Sequence, residues 1–105
     1  MGKRESEFQA SLIRELHTMF PEAIITKMDS GHIQGIPDLL ILNGPNWATL
    51  ECKRSATDSH QPNQDYYVAR MNRMSFSRFI FPENKEEVLN DLQQAFRTRR
   101  HARLP

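Results

Sequence analysis

Apolar residues recur along this chain with two different periods, and the changes of period divide it into seven predicted elements. From Glu5 to about Met19, Phe8, Leu12, Ile13, Leu16 and Met19 fall at helical spacing. Ser6 and Gln9 have the spacing of a capping box, and Phe20-Pro21 stops the helix. Ala23 to Met28 is β-branched and predicts a short strand. Glycines at 31 and 35 mark a flexible connection that calls for positive φ. Two further strands, Ile36 to Leu42 and Trp47 to Lys53, flank Asn43-Gly44-Pro45-Asn46, which has the chemistry of a hairpin loop. Leu39 to Leu42 does not alternate, which predicts a strand covered on both faces. A polar stretch, Arg54 to Asn63, leads to a helix from Gln64 to Met74. Ser77 to Phe81 then reads as a strand, and Lys85 to about Phe96 as a helix opened by Asn84 and Glu87. The order αβββαβα predicts an α/β fold, a mixed sheet flanked by helices.

Composition adds little and excludes much. With 105 residues, 38% hydrophobic and 26% charged, the expectation is one folded domain, residues 1–96, and a basic tail, 97–105. Net charge is only +1, but Arg97, Arg99, Arg100, His101 and Arg103 crowd the tail and Lys3 and Arg4 the start. The tail lacks apolar periodicity and is expected to be mobile. Cys52 is the lone cysteine, so no internal disulfide forms and no Cys/His cluster suggests zinc. No segment is long and apolar enough to span a bilayer and no signal-peptide core is visible, which predicts a cytoplasmic, intracellular protein.

The hairpin brings charge into an apolar context. If Leu42 opposes Trp47 and Leu40 opposes Thr49, then Asp38 opposes Glu51, with Cβ atoms roughly 4.5–5.5 Å apart. Alternation puts Glu51 and Lys53 on the same face as Asp38. Two facing carboxylates repel unless a cation lies between them. Lys53 supplies one charge, and a hard divalent ion, Mg²⁺ or Mn²⁺, suits oxygen ligands. The alternative reading of the same three residues is a surface ion cluster at a sheet end.

Gly35-Ile36-Pro37-Asp38 followed by Glu51-Cys52-Lys53 resembles the PD-(D/E)XK nuclease superfamily. Within it the chain is most similar to the small virus-type replication-repair nucleases (VRR-NUC) and, more distantly, to archaeal Holliday junction resolvases. The similarity runs from Glu5 to about Leu92 and includes the element order and a glutamine after the Glu-x-Lys strand. The resemblance implies a restriction-endonuclease-like core in which Asp38 and Glu51 hold a catalytic Mg²⁺ or Mn²⁺ with the Cys52 carbonyl. It implies that Lys53 orients the attacking water or stabilises phosphate charge. The first helix of such nucleases supplies another acid. Glu5 fits the inward stripe and is preferred to Glu7, although a Ser6 cap would leave Glu5 outside the helix. Gln64 is either a ligand to water or phosphate or a helix-start residue with ordinary exposure.

The remaining candidates are weaker. His32 and His60 are plain loop histidines in position to touch DNA. Tyr66, Tyr67, Met71, Met74 and Phe76 are expected in the core or at a dimer contact, and the Cys52 thiol in the core. The expected function is a metal-dependent endodeoxyribonuclease acting on branched DNA, such as a four-way junction, as a homodimer. A nicking, flap or restriction-like nuclease and a non-catalytic DNA-binding module of the same fold are the alternatives.

Overall fold

The computed structural model describes residues 3–102. Its elements are α1 (Lys3–Met19), β1 (Ile24–Lys27), β2 (Leu39–Asn43), β3 (Asn46–Cys52), α2 (Pro62–Met74), β4 (Ser77–Ile80) and α3 (Lys85–Ala102). They form the expected αβββαβα order in an α/β fold with one four-stranded mixed sheet. The strand order is β1-β2-β3-β4: β1 and β3 each run antiparallel to β2, and β4 runs parallel to β3.

Alternation along the strands decides which helix covers which face. Leu39 and Ile41 of β2 and Ala48, Leu50 and Cys52 of β3 are fully buried. They join Leu12 and Leu16 of α1 and Val88, Leu89, Leu92 and Phe96 of α3 in one core cluster. The opposite face of β3 meets α2, where the Thr49 hydroxyl bonds Ser77 Oγ at 2.7 Å and Met71 Sδ at 3.5 Å. α2 lies over β3 and β4 only. The other half of that face is therefore open: Ile24, paired with Leu42, is 63% exposed and Leu42 39%. Burial of β2 on both faces, expected from its unbroken apolar run, is thus corrected. The run reflects one buried face and one half-open one.

Several boundaries move for identifiable reasons. α1 starts at Lys3, so Ser6 lies inside the helix rather than capping it, and Gln9 is buried instead of closing a capping box. Glu5 consequently sits in the first turn. The hairpin turn is only Gly44-Pro45, because Asn43 and Asn46 already pair. Gly44 has φ +61°, and proline holds a negative φ at the next position, the sign pattern of a type II′ turn. Of the two glycines before Asp38, only Gly35 has positive φ. α2 begins at Pro62, since proline is pre-shaped for a first helical position. The Asn84 side chain turns back to β4, accepting from Phe81 N–H at 2.8 Å and donating to Phe79 O at 3.1 Å. α3 runs on past Phe96 to Ala102, beyond the helix end expected near Phe96. Arginine is a good helix former even where no apolar face continues. The side chains of Arg99, Arg100 and His101, and all of Arg103, lie outside the described residues, as do those of Lys3 and Arg4.

Candidate active site

Beyond the last ladder pair, Leu39 with Leu50, one more step of the same register sets Asp38 opposite Glu51. Asp38 is held on both sides. Its carbonyl accepts from Met28 N–H at 2.8 Å, and its carboxylate accepts from Cys52 N–H at 3.0 Å. In an extended strand a residue's N–H and C=O share one side, so the Cys52 carbonyl is directed toward Asp38 as well. Gly35, three residues earlier, explains how this segment comes so close to α2. A Cβ there would stand 2.4 Å from Asn63 Cβ, which no side chain could tolerate.

Glu51 and Lys53 follow on the same face of β3 and are buried, at 3% and 6% exposed. The Lys53 ammonium donates to Gln64 Oε1 at 2.8 Å and Ser59 O at 2.9 Å, and lies 3.8 Å from Glu51 Oε2. Gln64 Nε2 in turn donates to Glu51 Oε2 at 3.1 Å. An ammonium has no acceptor capacity, so the amide oxygen must face Lys53 and the amide nitrogen Glu51. The same Oε1 also accepts from Gln61 N–H at 3.0 Å at the α2 N-terminus. Gln64 therefore joins Lys53 and Glu51 to the start of α2. It stands in the first turn of α2 rather than opening the helix.

Glu51 Oε1 is buried with no hydrogen-bond partner among the described residues. Burial raises the Glu51 carboxyl to about 8, and the facing Asp38 charge adds to the rise, against the Lys53 ammonium and the Asp38 amide. Burial likewise raises Asp38, opposed by the Cys52 N–H bond and Lys53. Glu5 lines the same cleft, of about 430 Å³, with Asp38, Glu51, Lys53, Arg54, Asp58 and Gln64. Its carboxyl is raised by burial and then by the charges of Asp38 and Asp58. Glu7 is exposed. The Cys52 thiol is fully buried in the core and burial pushes it up to about 12, which leaves no nucleophile there.

The orphaned Glu51 oxygen, the adjacent Asp38 and the oxygen-only chemistry suit a hard divalent cation. The two carboxylates line one cleft, and strand geometry turns the Cys52 carbonyl to the Asp38 side. Among the described residues no group of three or more His, Cys, Asp or Glu side chains is placed to hold a metal. Glu5 thus borders the acid pair without completing a side-chain triad.

The loop after β3 was not foreseen as part of the site. Asp58 accepts from Arg54 N–H at 3.0 Å, from its guanidinium at 3.2 and 3.4 Å, and from Ser59 N–H at 2.9 Å. These bonds pull the Asp58 carboxyl well below its ordinary range, the Arg54 guanidinium foremost. The caged loop then presents the Ser59 carbonyl to Lys53. A main-chain acceptor carries no signature in the sequence; the one available signal was Gln61-Pro62-Asn63-Gln64, which has capping-box spacing around a proline. His60 stands in this loop, whereas His32 is exposed in the connection before Asp38. No family model matches the chain, and no curated protein or solved structure matches it either.

Proposed function

We propose that the chain is a metal-dependent endonuclease with a PD-(D/E)XK, restriction-endonuclease-like core, hydrolysing phosphodiester bonds in DNA. One observation carries the reading: a buried carboxylate with an oxygen unpartnered among the described residues, Glu51, faces a half-buried carboxylate, Asp38, beside a buried lysine. Leaving such an oxygen unmade is unfavourable by about 1–3 kcal/mol or more, so a ligand that meets it is favoured. Asp38, Glu51 and the Cys52 carbonyl would hold Mg²⁺ or Mn²⁺. The ion would supply Lewis-acid polarisation of the scissile phosphate and of the attacking water.

The chain's own residues divide the remaining work. Lys53 holds a fixed positive charge where negative charge builds on phosphate, and needs no reorganisation because Gln64 and Ser59 already orient it. Gln64 ties Lys53 and Glu51 into one unit. Glu5, with its raised carboxyl, is placed to accept or hold a proton at the cleft mouth.

Branched DNA is the proposed substrate and a homodimer the proposed working unit. Ile24 and Leu42 are exposed and apolar on the open half of the sheet, and Tyr66 and Met74 are exposed on α2, which supports self-association. Phe76, expected in the core or at such a contact, is buried in the core. The test is cleavage of labelled duplex, flap, fork, four-way junction and single strand with Mg²⁺ or Mn²⁺. Paired nicks in the junction are expected. Failure to cut any DNA with either ion would sink the reading; equal cutting of linear duplex would remove only the preference for branches.

A further inference from the structure

His60 is tied to two elements at once. Its ring stacks on Phe79 of β4, with centroids 4.0 Å apart and planes at 21°. Its Nδ1 lies 2.9 Å from Asp65 Oδ1 in the first turn of α2. An acceptor carboxylate at that distance places the proton on Nδ1. The residues on either side of His60 are the two whose backbone meets the active-site clamp. Ser59 gives its carbonyl to the Lys53 ammonium, and Gln61 gives its N–H to Gln64 Oε1.

We infer that His60 is a positioning residue: clipped between Phe79 and Asp65, it fixes the backbone that aims Lys53 and Gln64. The inference rests on the proposed nuclease reading for its kinetic consequence and on the geometry alone for its structural one. The rest of the loop is anchored near its start, by Asp58 around Arg54 and by a 3.4 Å contact from Ala56 N–H to Glu83. Nothing in that anchor reaches past Ser59. Without the imidazole, the Ser59-His60 backbone is joined to its neighbours chiefly through the Lys53 ammonium it is meant to hold, while the Gln61 carbonyl keeps its bonds from Gln64 and Asp65 N–H at 2.9 and 3.3 Å. The ammonium then loses its fixed carbonyl, and the Gln61 N–H that shares the Gln64 oxygen is steadied from the α2 side alone. His60 is itself exposed at the surface, so its replacement opens no cavity in the core. Asp58 is the nearest other acid on the loop, and it is already engaged by Arg54.

The experiment compares wild type with His60→Ala, His60→Phe, Asp65→Asn and Asp65→Leu, all as the full chain. For His60→Ala the expected result is a fall in kcat of about tenfold to a hundredfold at unchanged KM for DNA, the scale of a small misplacement. His60→Phe keeps the stack without the hydrogen bond and should fall between. Asp65→Asn keeps an acceptor and should retain more of kcat than Asp65→Leu. Nitrogen-15 NMR of the Lys53 ammonium provides a second reading, independent of activity. A protected signal is expected in wild type and its loss in His60→Ala. Wild-type kcat in His60→Ala would overturn the inference, as would a fall matched by a loss of folded protein. If wild type cuts no DNA, the nuclease reading has failed and the NMR comparison decides alone. A Lys53 signal identical in the two proteins would then overturn the clip.

Discussion

The two ends of β3 each bury an oxygen without a partner among the described residues, and they are not equivalent. At the turn end Asn46, 4% exposed, donates its amide to Phe96 O at 3.4 Å while its Oδ1 meets no donor among the described residues. At the other end Glu51 Oε1 is equally alone. The Asn46 oxygen belongs to a neutral amide, in a cleft where Met19, Phe20, Pro45 and Phe96 are joined by one acid, Glu22, and one base, Arg97. The Glu51 oxygen belongs to an acid with Asp38 facing it and Glu5 close enough to raise its proton affinity. An unmet dipole is a tolerable defect in packing. An unmet charge among like charges requires either a proton or a cation, and it is this difference that separates a structural blemish from a site.

The largest effects should come from breaking the charged end. Asp38→Ala or Glu51→Ala is expected to lower kcat by about a thousandfold or more while DNA affinity changes little, because each removes a proposed ligand of the ion. Lys53→Ala should lower kcat by about a hundredfold and leave the Mg²⁺ requirement in place, since an ammonium does not ligate a cation. Rates measured against Mg²⁺ concentration separate the two. Turnover in any of the three at the wild-type level would remove that residue from the mechanism.

A middle-sized effect concerns acidity. Glu51 titrates near 4.5 when unfolded and at about 8 when folded. Between those values the folded state binds more protons, so stability is fully present below about 4.5 and falls as pH rises through about 8. Asp38 and Glu5 shift in the same direction. Without divalent ions, thermal melts should therefore show a loss on the order of a few kcal/mol from mildly acidic to mildly alkaline buffer. Glu51→Gln should flatten that slope. Mg²⁺ should raise the melting temperature of wild type most at alkaline pH, where the carboxylates are already free of protons, and should not raise that of Glu51→Gln. A flat wild-type profile would mean that the acids do not hold protons in the fold.

The smallest effect belongs to the neutral end. Asn46→Ala loses one long hydrogen bond and one unmet oxygen together. Denaturant melts should move by no more than about 1 kcal/mol, and cleavage should not change. A larger drop in stability would make Asn46 a keystone of the α3 contact rather than a blemish.

The acid pair was legible because a short Gly-Pro turn fixes register, and register fixes which side chains oppose one another. Counting from the turn places Asp38 across from Glu51 whether the loop is taken as four residues or two, since Leu42 opposes Trp47 in either case. Glu5 was legible from the inward stripe of α1, and the doubt cast by Ser6 disappears because the helix starts earlier. What could not be read was the clamp around Lys53. It depends on a carbonyl at Ser59 and on the path of a loop shaped by Asp58, and neither has a periodicity. The half-open sheet face was hidden for a related reason: an unbroken apolar run is the same string whether a helix covers its second face or not.

The Gly44-Pro45 turn also orders events in time. Closing two residues is entropically easy, so β2 and β3 can pair within microseconds as an isolated hairpin. The parallel pairing of β3 with β4 must wait for a crossover that includes α2, a slower search through non-local contacts. Asp38 and Glu51 are thus brought face to face early, before Gln64 and the Ser59 carbonyl arrive to steady Lys53. In that order the two acids are assembled while the clamp is still unbuilt, and a steadied Lys53 is the last part of the cleft that folding confers.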